Sequence, residues 1–253
     1  MATSEMTTTA PPADIGTALE DIDTPALLLD LDAFEYNLAR MVEEIGPTGL
    51  TLRPHGKAHK CAEIARRQIA LGAVGVCCQK VSEAEAFVDA GILNVVVTNE
   101  VIAAPKLDRL AALARRAVMA VCVDDPLVVP ALNAAALRAG VVLDVLVEID
   151  VGGARCGQLP GEPAVRLAES VARTRHLRLR GLQAYQGRAQ HIRPFEERGA
   201  AIARAAELVR QTVEMFHARN LPCDVVGGAG TGTYAFEAAS GAYTELQPGS
   251  YVF

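Results

Sequence analysis

The sequence predicts an α/β protein of the (β/α)8 TIM-like barrel type. Short runs rich in Val, Ile and Leu alternate along the chain with longer Ala-, Leu- and Arg-rich stretches of helical spacing. Strands separated by helices of about 10 to 15 residues form βαβ units around a parallel sheet. Eight such runs lie between Leu50 and Leu246 of a 253-residue chain, and a closed barrel has eight strands in about 250 residues. A doubly wound open sheet is the alternative that alternation alone allows.

The elements follow in order. Residues 1–20 read as a flexible tail: Met1–Ile15 is rich in Ser, Thr, Ala and Pro and lacks the apolar stretch of a signal peptide. Ala26–Leu31 is a strand-like run placed outside the barrel. The barrel strands are Leu50–Pro54, Val74–Cys78, Asn94–Thr98, Val118–Val123, Leu143–Ile149, Leu177–Ala184, Asp224–Val226 and Tyr243–Leu246. Among the helices between them are Cys61–Leu71, Ser82–Ala90, Pro105–Arg116 and Pro194–Arg219. Val118–Val123 and Leu143–Ile149 are largely apolar on both faces, as strands covered by helices outside and by barrel core inside should be. Residues 21–253 read as one domain without a linker, and the strand-like ending Gly249–Phe253 leads to the expectation of a further C-terminal segment.

Composition narrows the partners. The net charge is −6 with no block of Lys or Arg, aromatics make up 4% and Trp is absent. That argues against nucleic-acid and membrane-surface partners, which need basic patches or stacking platforms. The six cysteines show no C-x-x-C spacing and several lie in apolar runs, so they read as reduced thiols of the core or the site edge. No apolar run approaches the roughly 18 to 20 residues that span a bilayer, and a cytoplasmic protein is expected.

In such a barrel, function sits where strands end and loops begin. The first barrel strand ends in Arg53-Pro54-His55-Gly56-Lys57-Ala58-His59-Lys60. A lysine pointing into the mouth is partly desolvated, which favours the neutral amine that attacks an aldehyde; a solvated basic loop is the competing reading, and Lys60 is expected to face out. The fifth strand ends in Asp150-Val151-Gly152-Gly153-Ala154-Arg155, where Arg155 offers a forked cation to a phenolate or carboxylate. After the sixth, Tyr185 could lie against a flat ring and His191 could act as acid or base near neutral pH. The seventh ends in Gly227-Gly228-Ala229-Gly230-Thr231-Gly232-Thr233 and the eighth in Gln247-Pro248-Gly249-Ser250. These are small-residue loops at the positions where barrels commonly bind phosphate. A phosphate cup and a reactive lysine in one mouth point to pyridoxal 5'-phosphate (PLP).

These stretches, with Asp23-Thr24-Pro25-Ala26, Cys77 to Ala84, Gly181 to Gly187 and Tyr243 to Tyr251, resemble the fold-type III PLP enzymes, the alanine racemase-like barrels. Within them the sequence is most similar to the D-threonine aldolase and 3-hydroxy-D-aspartate aldolase group. The resemblance implies a Schiff-base role for Lys57, Arg155 near the phenolic oxygen, Tyr185 beside the pyridine ring, and Gly230, Thr231, Gly249 and Ser250 around the phosphate. It places Gln247 where racemases of this fold carry an Arg at the pyridine nitrogen; a neutral Gln would leave that nitrogen unprotonated and suit bond cleavage better than racemisation.

The implied activity is cleavage of the Cα–Cβ bond of a D-β-hydroxy-α-amino acid to glycine and an aldehyde, by a homodimer, with His59 or His191 as candidate base. A divalent metal (Mg, Mn or Zn) is expected with ligands in a C-terminal β domain absent from this chain, so no metal ligand is assigned here. The alternatives are a D-serine or 3-hydroxy-D-aspartate dehydratase and a non-catalytic PLP carrier. The Ala184-Tyr185-Gln186-Gly187 turn and the Thr244-Glu245-Leu246-Gln247-Pro248-Gly249 ending favour the aldolase.

Overall fold

The computed structural model describes residues 13–253; most of the expected tail, residues 1–12, lies outside them. Eight parallel strands run in the order β1-β8-β7-β6-β5-β4-β3-β2. They are β1 Thr51–Leu52, β2 Val76–Cys78, β3 Asn94–Glu100, β4 Val118–Val123, β5 Leu143–Glu148, β6 Leu177–Ala184, β7 Val225–Gly228 and β8 Glu245–Leu246. The sheet closes beyond the end of β1: Val74 N–H donates to Leu52 O at 2.9 Å, Cys77 N–H to Pro54 O at 2.8 Å, and His55 bridges Cys77 in parallel. Closure decides for the barrel over the open sheet.

The helices are α1 Leu31–Ile45, α2 Ala62–Ala70, α3 Val81–Asp89, α4 Ala104–Leu113, α5 Val129–Ala139, α6 Glu162–Ala172, α7 Phe195–Ala218 and α8 Tyr234–Ser240. Alternation in the strands sorts side chains between two cores. In β3, Val95 and Val97 pack outward into the main cluster with helix residues such as Leu107, Leu110 and Ala111 of α4, whose spacing of three and four places them on one face. Val96 points inward to Cys77, Ala120, Cys122 and Leu146. Each fully buried Leu or Val contributes about 1.5–3 kcal/mol, and the outer cluster is much the larger, so helix-on-sheet packing holds the barrel. All six cysteines are free. Among the described residues no helix is long and apolar enough to cross a membrane.

One expected element differs. Ala26–Leu31 is not a strand: residues 26–30 carry no regular structure, Leu27 and Leu28 are exposed, and α1 begins at Leu31. Asp30 caps that helix by accepting from Ala33 N–H at 3.0 Å. Phe34, Leu38, Met41 and Ile45 then supply a buried face at helical spacing. The short apolar run looked strand-like, but leucine favours helix, and the cap and the period after it decide where regular structure begins.

Candidate functional site

A cavity of about 480 Å³ opens at the C-terminal ends of the strands. At its β1 side the chain leaves the strand into a single 3-10 turn, Gly56–Ala58, capped by His55, whose Nδ1 accepts from Lys57 N–H at 3.3 Å. That turn delivers Lys57 to the cavity, with Nζ 5.7 Å from the centroid of the Tyr185 ring. Partial burial first, and the Arg155 guanidinium second, hold the Lys57 amine below the usual lysine range. Because His55 Nδ1 accepts, its Nε2 carries the proton and donates to Thr98 Oγ1 at 3.0 Å, and Thr98 donates on to Cys78 O at 3.3 Å. Burial, then the charges of Lys57 and Arg155, bring the His55 pKa down to about 3. The ring is a fixed neutral donor, not a base.

Opposite, the loops after β7 and β8 meet. Ser250 Oγ donates to Thr231 Oγ1 at 3.2 Å, and both residues line the cavity with Gly230, Gly232 and Gly249. The Gln190 amide ties the first loop down, accepting from Gly232 N–H at 2.8 Å and donating to Thr233 Oγ1 at 2.7 Å. A glycine is required at 249, since a Cβ there would stand 2.7 Å from His55 O. Two hydroxyls among closely approaching backbone make a cup for an oxyanion such as phosphate.

On the β5 side, Arg155 lies with Cζ 5.3 Å from the Tyr185 centroid. It donates from Nη2 to Glu148 Oε1 at 3.2 Å, and the Cys156 thiol donates to the same oxygen at 3.0 Å. Burial and the Glu148 carboxylate push that thiol up to about 12. Burial first, and the Glu148 charge second, push the neighbouring Glu100 carboxyl up to about 7. The ligand atoms of Glu100, Glu148 and Cys156 lie within 4.8 Å of one another and form a candidate metal group among the described residues. The end of the barrel interior is polar. Gln183 and Gln247 pair there, and Gln247 rests on Glu245, which is salt-bridged to Arg53.

Residues 29–253 match the alanine racemase, N-terminal domain family. The chain belongs to this family. It is 46% identical over 243 residues to a D-threonine aldolase of Arthrobacter sp., covering 96% of the chain and 64% of that protein. It is equally similar, 46% over 244 residues, to a 3-hydroxy-D-aspartate aldolase of Paracoccus denitrificans, covering 96% and 63%. The crystal structure of a D-threonine aldolase from Filomicrobium marinum superposes with a TM-score of 0.95 at 56% identity, over 96% of this chain and 66% of that one. The chain therefore spans just under two thirds of the length of the curated relatives it matches.

Within this racemase-type barrel, one cavity lining gathers nine of the expected residues: Lys57, Arg155, Tyr185, His191, Gly230, Thr231, Gln247, Gly249 and Ser250. His59 is not part of it. Its ring lies edge-on to Phe87 at 6.3 Å, and its Nδ1 accepts from Cys61 N–H at 3.0 Å at the head of α2. Lys60 faces out and pairs with Glu83 at 3.6 Å. The cavity also contains His55, Thr98, Gln183 and Gln190, which the sequence reading did not single out. His55 and Gln183 were findable, because each stands at the end of a barrel strand. Thr98, the last residue of the expected strand Asn94–Thr98, was findable in the same way; Gln190, in the turn after β6, carries no such signal.

Proposed function

We propose that the protein is a PLP-dependent lyase that cleaves the Cα–Cβ bond of a D-β-hydroxy-α-amino acid, D-threonine or 3-hydroxy-D-aspartate, to glycine and an aldehyde. The observation that carries this reading is the convergence, in one cavity, of the depressed amine of Lys57 with the hydroxyl-lined loops at Thr231 and Ser250. The names of the two aldolases at 46% identity supply the reaction.

The residues present fit the cofactor. Lys57 would hold it through Nζ, Thr231 and Ser250 would take its phosphate, and Arg155 its phenolic oxygen. When bound, PLP supplies a conjugated ring that accommodates the negative charge left at Cα. The chain's own residues do the rest. Glu148 fixes the Arg155 fork by an ion pair at 3.2 Å. Tyr185 lies between Lys57 and Arg155 as an apolar wall. In this reading His191, exposed in the cavity lining, takes the substrate's hydroxyl proton on its ring. His55 does not serve, since its accepting nitrogen is spent on Lys57 N–H and burial makes it a very weak base, its pKa brought down to about 3.

The same reading includes a divalent ion with ligands outside these residues, the Glu100–Glu148–Cys156 group being the alternative within them, and a cytoplasmic homodimer. A second reading, loss of the β-hydroxyl as water, is favoured by one relative, a D-threo-3-hydroxyaspartate dehydratase of Delftia sp. at 32% identity. Incubation of the PLP-loaded protein and a divalent ion with D-threonine, 3-hydroxy-D-aspartate and D-serine decides. Glycine with acetaldehyde or glyoxylate is expected; pyruvate or oxaloacetate with ammonia would overturn the aldolase reading.

A further inference from the structure

The Gln183–Gln247 pair has one hydrogen to offer a ligand, and it sits on Gln183. Gln247 Nε2 donates to Glu245 Oε1 at 3.0 Å and to Gln183 Oε1 at 3.1 Å, which uses both of its hydrogens. Gln183 Nε2 donates to Gln247 Oε1 at 2.8 Å, which uses one. The two amides therefore form a closed head-to-tail pair whose polarity is set from below.

Glu245 sets it. This carboxylate is 3% exposed and bonded to Arg53 Nε at 2.8 Å, and Arg53 is itself fixed by Asn94 Oδ1 at 2.8 Å. A carboxylate so placed accepts. Turning the Gln247 amide over would set its Oε1 against a carboxylate oxygen and would force Gln183 over as well, leaving two acceptors facing each other in a buried site. Gly227 makes room for the pair, since a Cβ there would come 2.5 Å from Gln247 Nε2 and 2.9 Å from Gln183 Oε1.

We infer that Gln183 donates to the ring nitrogen of the bound cofactor, while Gln247 is a positioning residue that carries the orientation from Arg53 and Glu245. The inference rests on the PLP reading and departs from the placement of Gln247 at that nitrogen. The ring nitrogen lies across the ring from the carbon that Lys57 holds. With the phosphate held at Thr231 and Ser250 and the phenolic oxygen at Arg155, it would face the buried polar groups at the ends of β6 and β8. Those are Gln183 and Gln247, both in the cavity lining. A pyridine lone pair needs a donor, and the hydrogen bonds of the described residues leave that donor on Gln183. An amide lends a hydrogen without surrendering it, so the nitrogen stays unprotonated.

The test loads the protein with 15N-labelled PLP and records the ring-nitrogen resonance. The wild type is expected at a hydrogen-bonded, unprotonated position. Gln183→Met moves it toward free pyridine and weakens cofactor retention about fivefold, the size of one hydrogen bond; Gln247→Met moves it only part of the way, because Gln183 keeps its hydrogen and loses the partner that orients it. Gln183→Glu, which keeps the acceptor for Gln247 Nε2, brings an acid to the nitrogen and shifts it to the pyridinium position. Thermal unfolding of the cofactor-free variants controls for folding, and if Gln183→Met does not fold, Gln183→Glu decides. A free-pyridine position in Gln247→Met with an unchanged one in Gln183→Met overturns the inference, as does a pyridinium signal in the wild type. A wild type that takes up no cofactor at Lys57 removes the proposed function instead, so the two failures are distinguishable.

Discussion

Lys57 gains its reactivity from where the first barrel strand stops. Burial and the Arg155 charge favour its neutral form, so at any pH below the ordinary lysine value of about 10.4 it has more free amine than an exposed lysine. Uptake of PLP by the cofactor-free protein should therefore accelerate with rising pH about a midpoint below that value, as read by the growth of the cofactor's absorbance band. In Arg155→Met the second cause is gone and burial remains, so the midpoint should rise. An unchanged midpoint would show that Arg155 does not act on the amine. Lys57, Arg155 and the small-residue loops were legible in the sequence because they follow strands whose ends the apolar pattern marks. The Gln183–Gln247 pair was not, because it joins the ends of β6 and β8 across the barrel and no local pattern records that, and the Glu148–Arg155 ion pair depends on how the loop after β5 folds back.

At the scale of elements, α8 carries a cost. Glu237 is 1% exposed; Thr233 donates to its Oε1 at 2.9 Å, while its Oε2 is buried without a partner among the described residues. Burial raises its pKa to about 7. The folded state thus keeps a proton that the unfolded chain gives up near pH 4.3. A raised carboxyl costs nothing below the unfolded value, and its penalty grows as pH climbs to about 7, reaching roughly 3 kcal/mol. Glu237→Gln should raise the melting temperature at pH 8 and leave it unchanged near pH 4, read by thermal unfolding; an equal gain at both pH values would refute the ionic cause. The β8 loop makes a second prediction. Gly249→Ala sets a methyl 2.7 Å from His55 O, so it should cost about 1–3 kcal/mol and loosen cofactor binding, because the same loop carries Ser250. Most elements followed from periodicity: Val118–Val123 and Leu177–Ala184 form strands with the expected bounds. The run at Ala26–Leu31 did not, because a short apolar run of leucines carries no β preference of its own and Asp30 caps a helix at its end.

For the whole molecule, the packing that holds the barrel and the cavity that binds are separate. The main core lies between helices and the outer face of the sheet, the inner cluster of Cys77, Val96, Ala120, Cys122 and Leu146 is compact, and Lys57 belongs to neither. The cofactor-free barrel should accordingly be a folded protein whose stability owes little to Lys57. Lys57→Ala and wild type should unfold within about 0.5 kcal/mol of each other without PLP. With PLP at a hundredfold excess over its Kd, the wild type should gain about 2.7 kcal/mol, and Lys57→Ala much less, because it retains the phosphate cup and loses the covalent anchor. Denaturant unfolding of both proteins with and without PLP measures all four values. Equal gains in the two would mean that the phosphate loops, and not Lys57, dominate cofactor affinity, and a cofactor-free wild type without a cooperative transition would mean that the cavity is part of what folds the barrel.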